Sequence, residues 1–153
     1  MKKVILGSVL VMLLVVTTGC GNTEKQKSMS CSRTGTIASG TTFEYNYKVD
    51  YTGKYVDVIN IEEKLVSDNS EYLETVKESV EEMYSKFDGI KYHGYDVEVT
   101  NSELISHRYI DYKHIDTDKM LEVDSAFAAI IKDGKVAVSD VKAVYEQLGL
   151  TCK

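Results

Sequence analysis

The chain has 153 residues and a formal net charge of −6; 43% of its residues are hydrophobic and 27% charged, with three cysteines and neither proline nor tryptophan. An acidic balance of that size argues against nucleic acid as a partner and against electrostatic docking on anionic lipid. The length fits one domain with a core of its own.

Met1-Lys2-Lys3 lead into an apolar run from Val4 to Val16, which ends at Thr17-Thr18-Gly19-Cys20. A basic start, a short apolar stretch and a small residue before the cut are the parts of an export signal. The run is about 13 residues, or about 20 Å as a helix, against a hydrocarbon core of about 30 Å. It is too short for a comfortable span. Thr17-Thr18-Gly19-Cys20 resembles the lipobox of bacterial lipoproteins, with Thr17 where that motif usually carries Leu. The resemblance implies cleavage before Cys20 and lipidation of its thiol; an ordinary secretion signal cut at the same place is the alternative. Two acyl chains anchor stably where one does not.

Removal of residues 1–19, with Lys2 and Lys3, leaves 134 residues carrying −8. Gly21 to Ser30 are small and polar with no period, so residues 20–30 are predicted to be a lipidated start and flexible tether. Residues 31–153 are predicted to form a single domain. Two cysteines remain, Cys31 just past the tether and Cys152 next to the last residue. In an exported protein an even remainder predicts a disulfide, here joining the domain's two ends. It would close a loop of about 120 residues, a stabilisation of about 4–5 kcal/mol in the chain-entropy account. Two free thiols, or a catalytic one, are the alternatives, but neither cysteine has a CxxC partner or a nearby histidine in sequence.

Thr41 to Tyr51 alternates strictly, with Phe43, Tyr45, Tyr47, Val49 and Tyr51 on one side, which predicts a half-buried strand. Thr52-Gly53 predicts a tight turn into a second strand, Lys54 to Val66. Asp68 to Ser70 offers an N-cap, and Leu73, Val76, Val80, Met83 and Phe87 form one apolar stripe on a long helix ended by Gly89. Ile90 to Thr100 predicts a third strand, bulged at His93-Gly94, and Glu103 to Tyr112 a fourth. A short helix is expected around Asp118 to Val123, and Ala126 to Ile131 is apolar but of either type. Asp133-Gly134 predicts a turn. A final helix is expected from Val138-Ser139, capped by Ser139, with Val141, Val144, Tyr145 and Leu148 inward and Gly149-Leu150 as a Schellman ending. The expected fold is α+β: an antiparallel sheet of about four strands in two hairpins, one long amphipathic helix on it, and smaller C-terminal helices.

Chemical motifs are sparse. His93, His107 and His114 lie in no HExxH or CxxC frame, so no metal site is expected. His107, Tyr109 and Asp111 share one face of the fourth strand, which reads as a polar stripe and, less simply, as an ionisable site. Asp111, Asp116, Asp118, Glu122 and Asp124 lack the EF-hand pattern and read as solvated surface. No GxSxG elbow or Gly-rich phosphate loop occurs. Tyr45, Tyr47 and Tyr51 are expected in the core rather than on a sugar-stacking platform.

The order of elements, carried by Tyr45 to Val58 around Thr52-Gly53, by Ile110-Asp111 with Ile115-Asp116 leading into Met120-Leu121, and by Val141 to Leu150, resembles the YehR-type family of small bacterial lipoproteins. The resemblance implies an extracytoplasmic, lipid-anchored α+β domain with no assigned catalytic residues; separately, no cofactor is expected. The expected role is a non-enzymatic binding or interaction module for an unknown protein or small ligand, attached to the membrane through Cys20. An extracytoplasmic hydrolase using His107 and Asp111, and an accessory subunit of a transporter or signalling complex, are the rivals.

Overall fold

The computed structural model describes residues 24–37 and 40–153. The expected leader, the lipidation at Cys20 and the first tether residues lie outside the described residues. In chain order the elements are β1 (Gln26–Thr36), β2 (Thr42–Thr52), β3 (Tyr55–Val66), α1 (Ser70–Ser85), β4 (His93–Val99), β5 (Glu103–Asp111), α2 (Thr117–Val123), a 3-10 turn (Ser125–Ala129), β6 (Ile131–Lys132), β7 (Lys135–Val136), α3 (Val138–Gln147) and β8 (Thr151–Cys152). Six strands form one antiparallel sheet in the order β4-β5-β3-β2-β1-β8, and β6 and β7 make a small ribbon.

The α+β class holds, but the sheet has six strands where four were expected. The missing long strand is β1, which pairs with β2 along its whole length, from Gln26 opposite Thr52 to Thr36 opposite Thr42. It takes in Gln26 to Ser30, residues assigned above to the tether. Only Met29 and Cys31 are buried in it, between small polar neighbours, so it carries almost no apolar alternation. Its partner stabilises it; its own composition does not.

Strand parity divides the sheet into two unlike faces. One carries Met29, Cys31, Tyr47, Val49, Ile59, Leu104 and Ile110, all buried, and the helices pack there. Leu73 of α1 is fully buried against Leu65 and Leu104. Asn69 caps α1 by accepting from Tyr72 N at 3.0 Å. Met83, expected in the inward stripe, is 55% exposed, and Tyr84 is buried in its place. The helix thus turns its seam by one residue as it crosses the sheet. At the far end Leu148, also expected inward, is 54% exposed.

The opposite face carries Glu44, Lys48, Glu62, Asp96, His107 and Tyr109, largely open to solvent. β4 pairs with β5 in unbroken register from His93 to Val99, so the expected bulge is absent there; the irregularity falls one residue earlier, at Tyr92, whose φ is +68°. The β2–β3 turn is at Gly53, φ +61°. Ser139 does not cap α3: Ala137 is its N-cap residue, without a side-chain bond. Its other end has the two bonds of a Schellman motif, Gly149 N to Glu146 O and Leu150 N to Tyr145 O, each 3.0 Å. Arg33 reaches across from β1 and donates to Leu148 O at 2.7 Å, a cation at the negative end of the helix dipole. Among the described residues no helix is long and apolar enough to cross a membrane.

The first and last strands meet at one point. Cys31 and Cys152 face each other across β1 and β8 and are joined as a disulfide. Ser30 and Lys153 exchange both backbone hydrogen bonds beside it, at 3.0 and 2.9 Å.

Candidate functional site

Between the packed face of the sheet, the 3-10 turn and α3 lies a cavity of about 280 Å³. Its walls include Ile61, Ile110, Tyr84, Phe127 and Tyr145, and the exposed Leu148 stands at its rim. Three charged side chains line this apolar space, Arg108 of β5, Glu63 of β3 and Asp124 at the start of the 3-10 turn.

Arg108 is held by aromatic rings. Its guanidinium carbon lies 4.9 Å from the Tyr84 ring centre, 5.1 Å from Phe87 and 5.6 Å from Phe127. Such contacts contribute about 0.5–2 kcal/mol each, depending on desolvation. Among the described residues no carboxylate lies within ion-pair distance of it. Instead Arg108 Nε donates to Nε2 of His93 at 2.9 Å. Arginine has only protons to give, so Nε2 is an acceptor and the imidazole carries its proton on Nδ1. Burial, reinforced by the positive charge of Arg108, lowers the His93 pKa to about 4, so the ring is neutral at physiological pH.

Among the described residues, His93 Nδ1 and Arg108 Nη2 are the buried side-chain polar atoms without a partner. Both are donors, and both belong to one hydrogen-bonded pair. A buried donor without an acceptor costs about 1–3 kcal/mol, more for a charged group.

Glu63 sits on the neighbouring strand. It pairs across the ladder with Ser106, and Arg108 pairs with Ile61, so Glu63 and Arg108 are diagonal neighbours on one face. That relation separates their backbones by about 7–8 Å. Glu63 accepts a hydrogen bond from the Tyr47 hydroxyl. Burial first, then the Glu63 charge, raises the Tyr47 pKa far above its ordinary value. Burial pushes Tyr112 up to about 12 and Tyr145 higher still. The phenols around the cavity are therefore neutral. Tyr47 and Tyr145 meet edge to face at 4.9 Å, which fixes the wall next to Glu63.

Of the residues singled out from sequence, Tyr47 and Asp124 line this cavity, whereas His107, Tyr109 and Asp111 do not. His107 stands on the open face, 3.8 Å from Glu62, beside a wide trough of about 440 Å³. That trough is larger than the cavity, most of its side chains are exposed, and Ile61 and Arg108 border both spaces. Asp111 is buried and does not meet His107: it accepts from Lys113 N at 3.0 Å and contacts His114 Nδ1 at 2.7 Å. Tyr109 reaches Asp111 at only 3.5 Å. Two of the acids expected on a solvated surface cap turns of helix, Asp116 accepting from Lys119 N and Asp124 from Ala126 N. Among the described residues no group of histidines, cysteines and acids is arranged to hold a metal. Tyr45, Tyr47 and Tyr51 pack with the core, as expected.

Residues 22–153 match the family model of a domain of unknown function, DUF8824. The chain belongs to the DUF8824 family. No curated protein matches it. The solved structure of the Escherichia coli YehR protein is similar at a TM-score of 0.57 and 17% identity, over 84% of this chain and 91% of that one. A solved protein of Streptococcus pneumoniae TIGR4 is similar at 0.51 and 12%, over 100% of this chain and 99% of that one. At such identities the likeness concerns the DUF8824 fold. It accords with the architecture expected from the YehR-type resemblance and assigns no ligand.

Arg108, Glu63 and His93 were not singled out from sequence as a group. A signal for two of them was present: a charge in an otherwise inward row, Leu104, Ser106, Arg108, Ile110 on β5 and Ile59, Ile61, Glu63, Leu65 on β3. Inward charges on adjacent strands call for a partner or a ligand.

Proposed function

We propose that this DUF8824 protein is an exported, lipid-anchored bacterial lipoprotein that works as a non-enzymatic binding module at the outer face of the cell membrane. It holds a small ligand in the cavity between the sheet and α3. The observation that carries this reading is the cavity itself, an apolar hollow lined by the cation Arg108 and the acids Glu63 and Asp124, with no carboxylate of the described residues in ion-pair distance of Arg108. Pockets of this composition, apolar with few convergent polar groups, are the usual small-molecule sites.

Export is supported by the Cys31–Cys152 disulfide, because such bonds persist in oxidising compartments. The lipid anchor rests on the likeness of Thr17 to Cys20 to a lipobox. β1 begins at Gln26, so a tether running from Cys20 to Lys25 would hold the domain close to the bilayer. Its acidity would keep it off anionic headgroups. The hydrolase alternative has less support, because His107 pairs with Glu62 and Asp111 with His114, on separate parts of β5. The accessory-subunit alternative is favoured by one feature, the uncovered polar face of the sheet.

Cys20→Ala tests the anchor. The variant is expected to lose incorporation of labelled fatty acid and to pass into the medium, while wild-type protein on intact cells is cut by added protease. Label retained by the variant, or wild-type protein in the cytosol with its leader intact, contradicts the proposal.

A further inference from the structure

We infer that the ligand of the cavity is a small zwitterion with an apolar side chain, a free aromatic or aliphatic α-amino acid, whose carboxylate is taken by Arg108 and whose ammonium is taken by Glu63. The inference rests on the binding-module reading above and specifies its ligand class.

Three observations converge. First, Arg108 lines the cavity as a cation that no carboxylate of the described residues pairs with, and its Nη2 is a buried donor without an acceptor. A carboxylate is the acceptor that suits a guanidinium best, and the bond is charge-assisted. Second, the carboxylate of Glu63 shares the chamber and is not neutralised by Arg108; its protein partner there is a neutral phenol, Tyr47. A simple anion entering the cavity would meet that negative charge, whereas a ligand bearing its own cation would be drawn to it. Third, diagonal placement holds the two charges about 7–8 Å apart at the backbone. An α-amino acid can lie between them, with a charge-assisted bond of about 2.8 Å at each end. Its side chain would rest on Ile61, Ile110 and Tyr145, with Leu148 across the opening. A chamber of about 280 Å³ is at the small end of the range of ligand pockets, which favours a single amino acid over a longer peptide.

Isothermal titration of the full-length protein in lipid nanodiscs, blanked against empty nanodiscs, tests the inference with three probes of one shape. L-phenylalanine carries both charges, 3-phenylpropionate lacks the ammonium, and phenethylamine lacks the carboxylate. L-phenylalanine is expected to bind at least tenfold more tightly than either analogue. Glu63→Gln keeps an oxygen for the Tyr47 hydroxyl; it is expected to weaken L-phenylalanine at least fivefold and to leave 3-phenylpropionate unweakened. Equal binding of all three probes, or no binding of L-phenylalanine, overturns the inference. Should the variant fail to fold, the three probes on wild-type protein decide the matter alone. None of these outcomes alters fatty-acid labelling at Cys20, so failure of the ligand class and failure of the anchored reading are separable.

Discussion

At the scale of single residues, His93 is the group whose surroundings change its chemistry most. Its pKa is about 4 in the folded protein, lowered by burial and by Arg108, against an ordinary value of 6.5. Well above pH 6.5 the ring is neutral in both folded and unfolded chains, and its contribution does not vary. Between pH 6.5 and 4 the unfolded chain takes up a proton that the folded one refuses, so stability falls as the medium is acidified. With discounting for partial exposure, the loss is on the order of 1–2 kcal/mol. Urea midpoints at pH 7 and pH 4.5 are expected to differ more for wild type than for His93→Gln, in which an amide replaces the titrating ring. Identical differences for the two proteins would show that His93 titrates freely. The same residue keeps the Arg108 Nε donor occupied, and Nη2 is left as a buried donor without a partner.

At the scale of elements, packing decided what periodicity left open. Strands β2 and β3 were legible because aromatic and branched residues alternate along both, and their hairpin has Gly53 at its turn. β1 was not legible: two inward residues, Met29 and Cys31, give no period, and only pairing with β2 reveals the strand. Helix α1 was recognisable, yet a helix of 3.6 residues per turn drifts off a strict repeat, and its inward seam passes through Tyr84 rather than Met83. That difference has a measurable consequence. Leu73→Ala, at a fully buried site, is expected to cost about 2–5 kcal/mol, and Met83→Ala less than about 0.5 kcal/mol. Equal losses in chemical denaturation would mean that Met83 lies in the core. For the candidate site, parity correctly put His107, Tyr109 and Asp111 on one side of β5, but four residues of strand separate the outer pair by about 13 Å. The groups that do converge come from two strands, Glu63 and Arg108, and that convergence depends on a register invisible in one sequence.

At the scale of the whole molecule, the fold assigns different work to its two sheet faces. Helices and the 3-10 turn close over one face and leave a chamber there, and the other face stays polar and open. The disulfide ties β1 to β8 and closes a separation of 121 residues. In the chain-entropy account that link stabilises the fold by about 5 kcal/mol. A rigid, stapled domain on a short tether suits capture of a solute next to a membrane, and the chamber is where capture would occur. Amide chemical-shift mapping of the isotope-labelled full-length protein in nanodiscs, titrated with L-phenylalanine, addresses that claim directly. Shifts confined to the chamber, at Ile61, Glu63, Arg108, Tyr145 and Leu148, are the predicted result. Shifts centred instead on Asn60, Glu62, His107 and Tyr109 of the open face, or none at all, would contradict it.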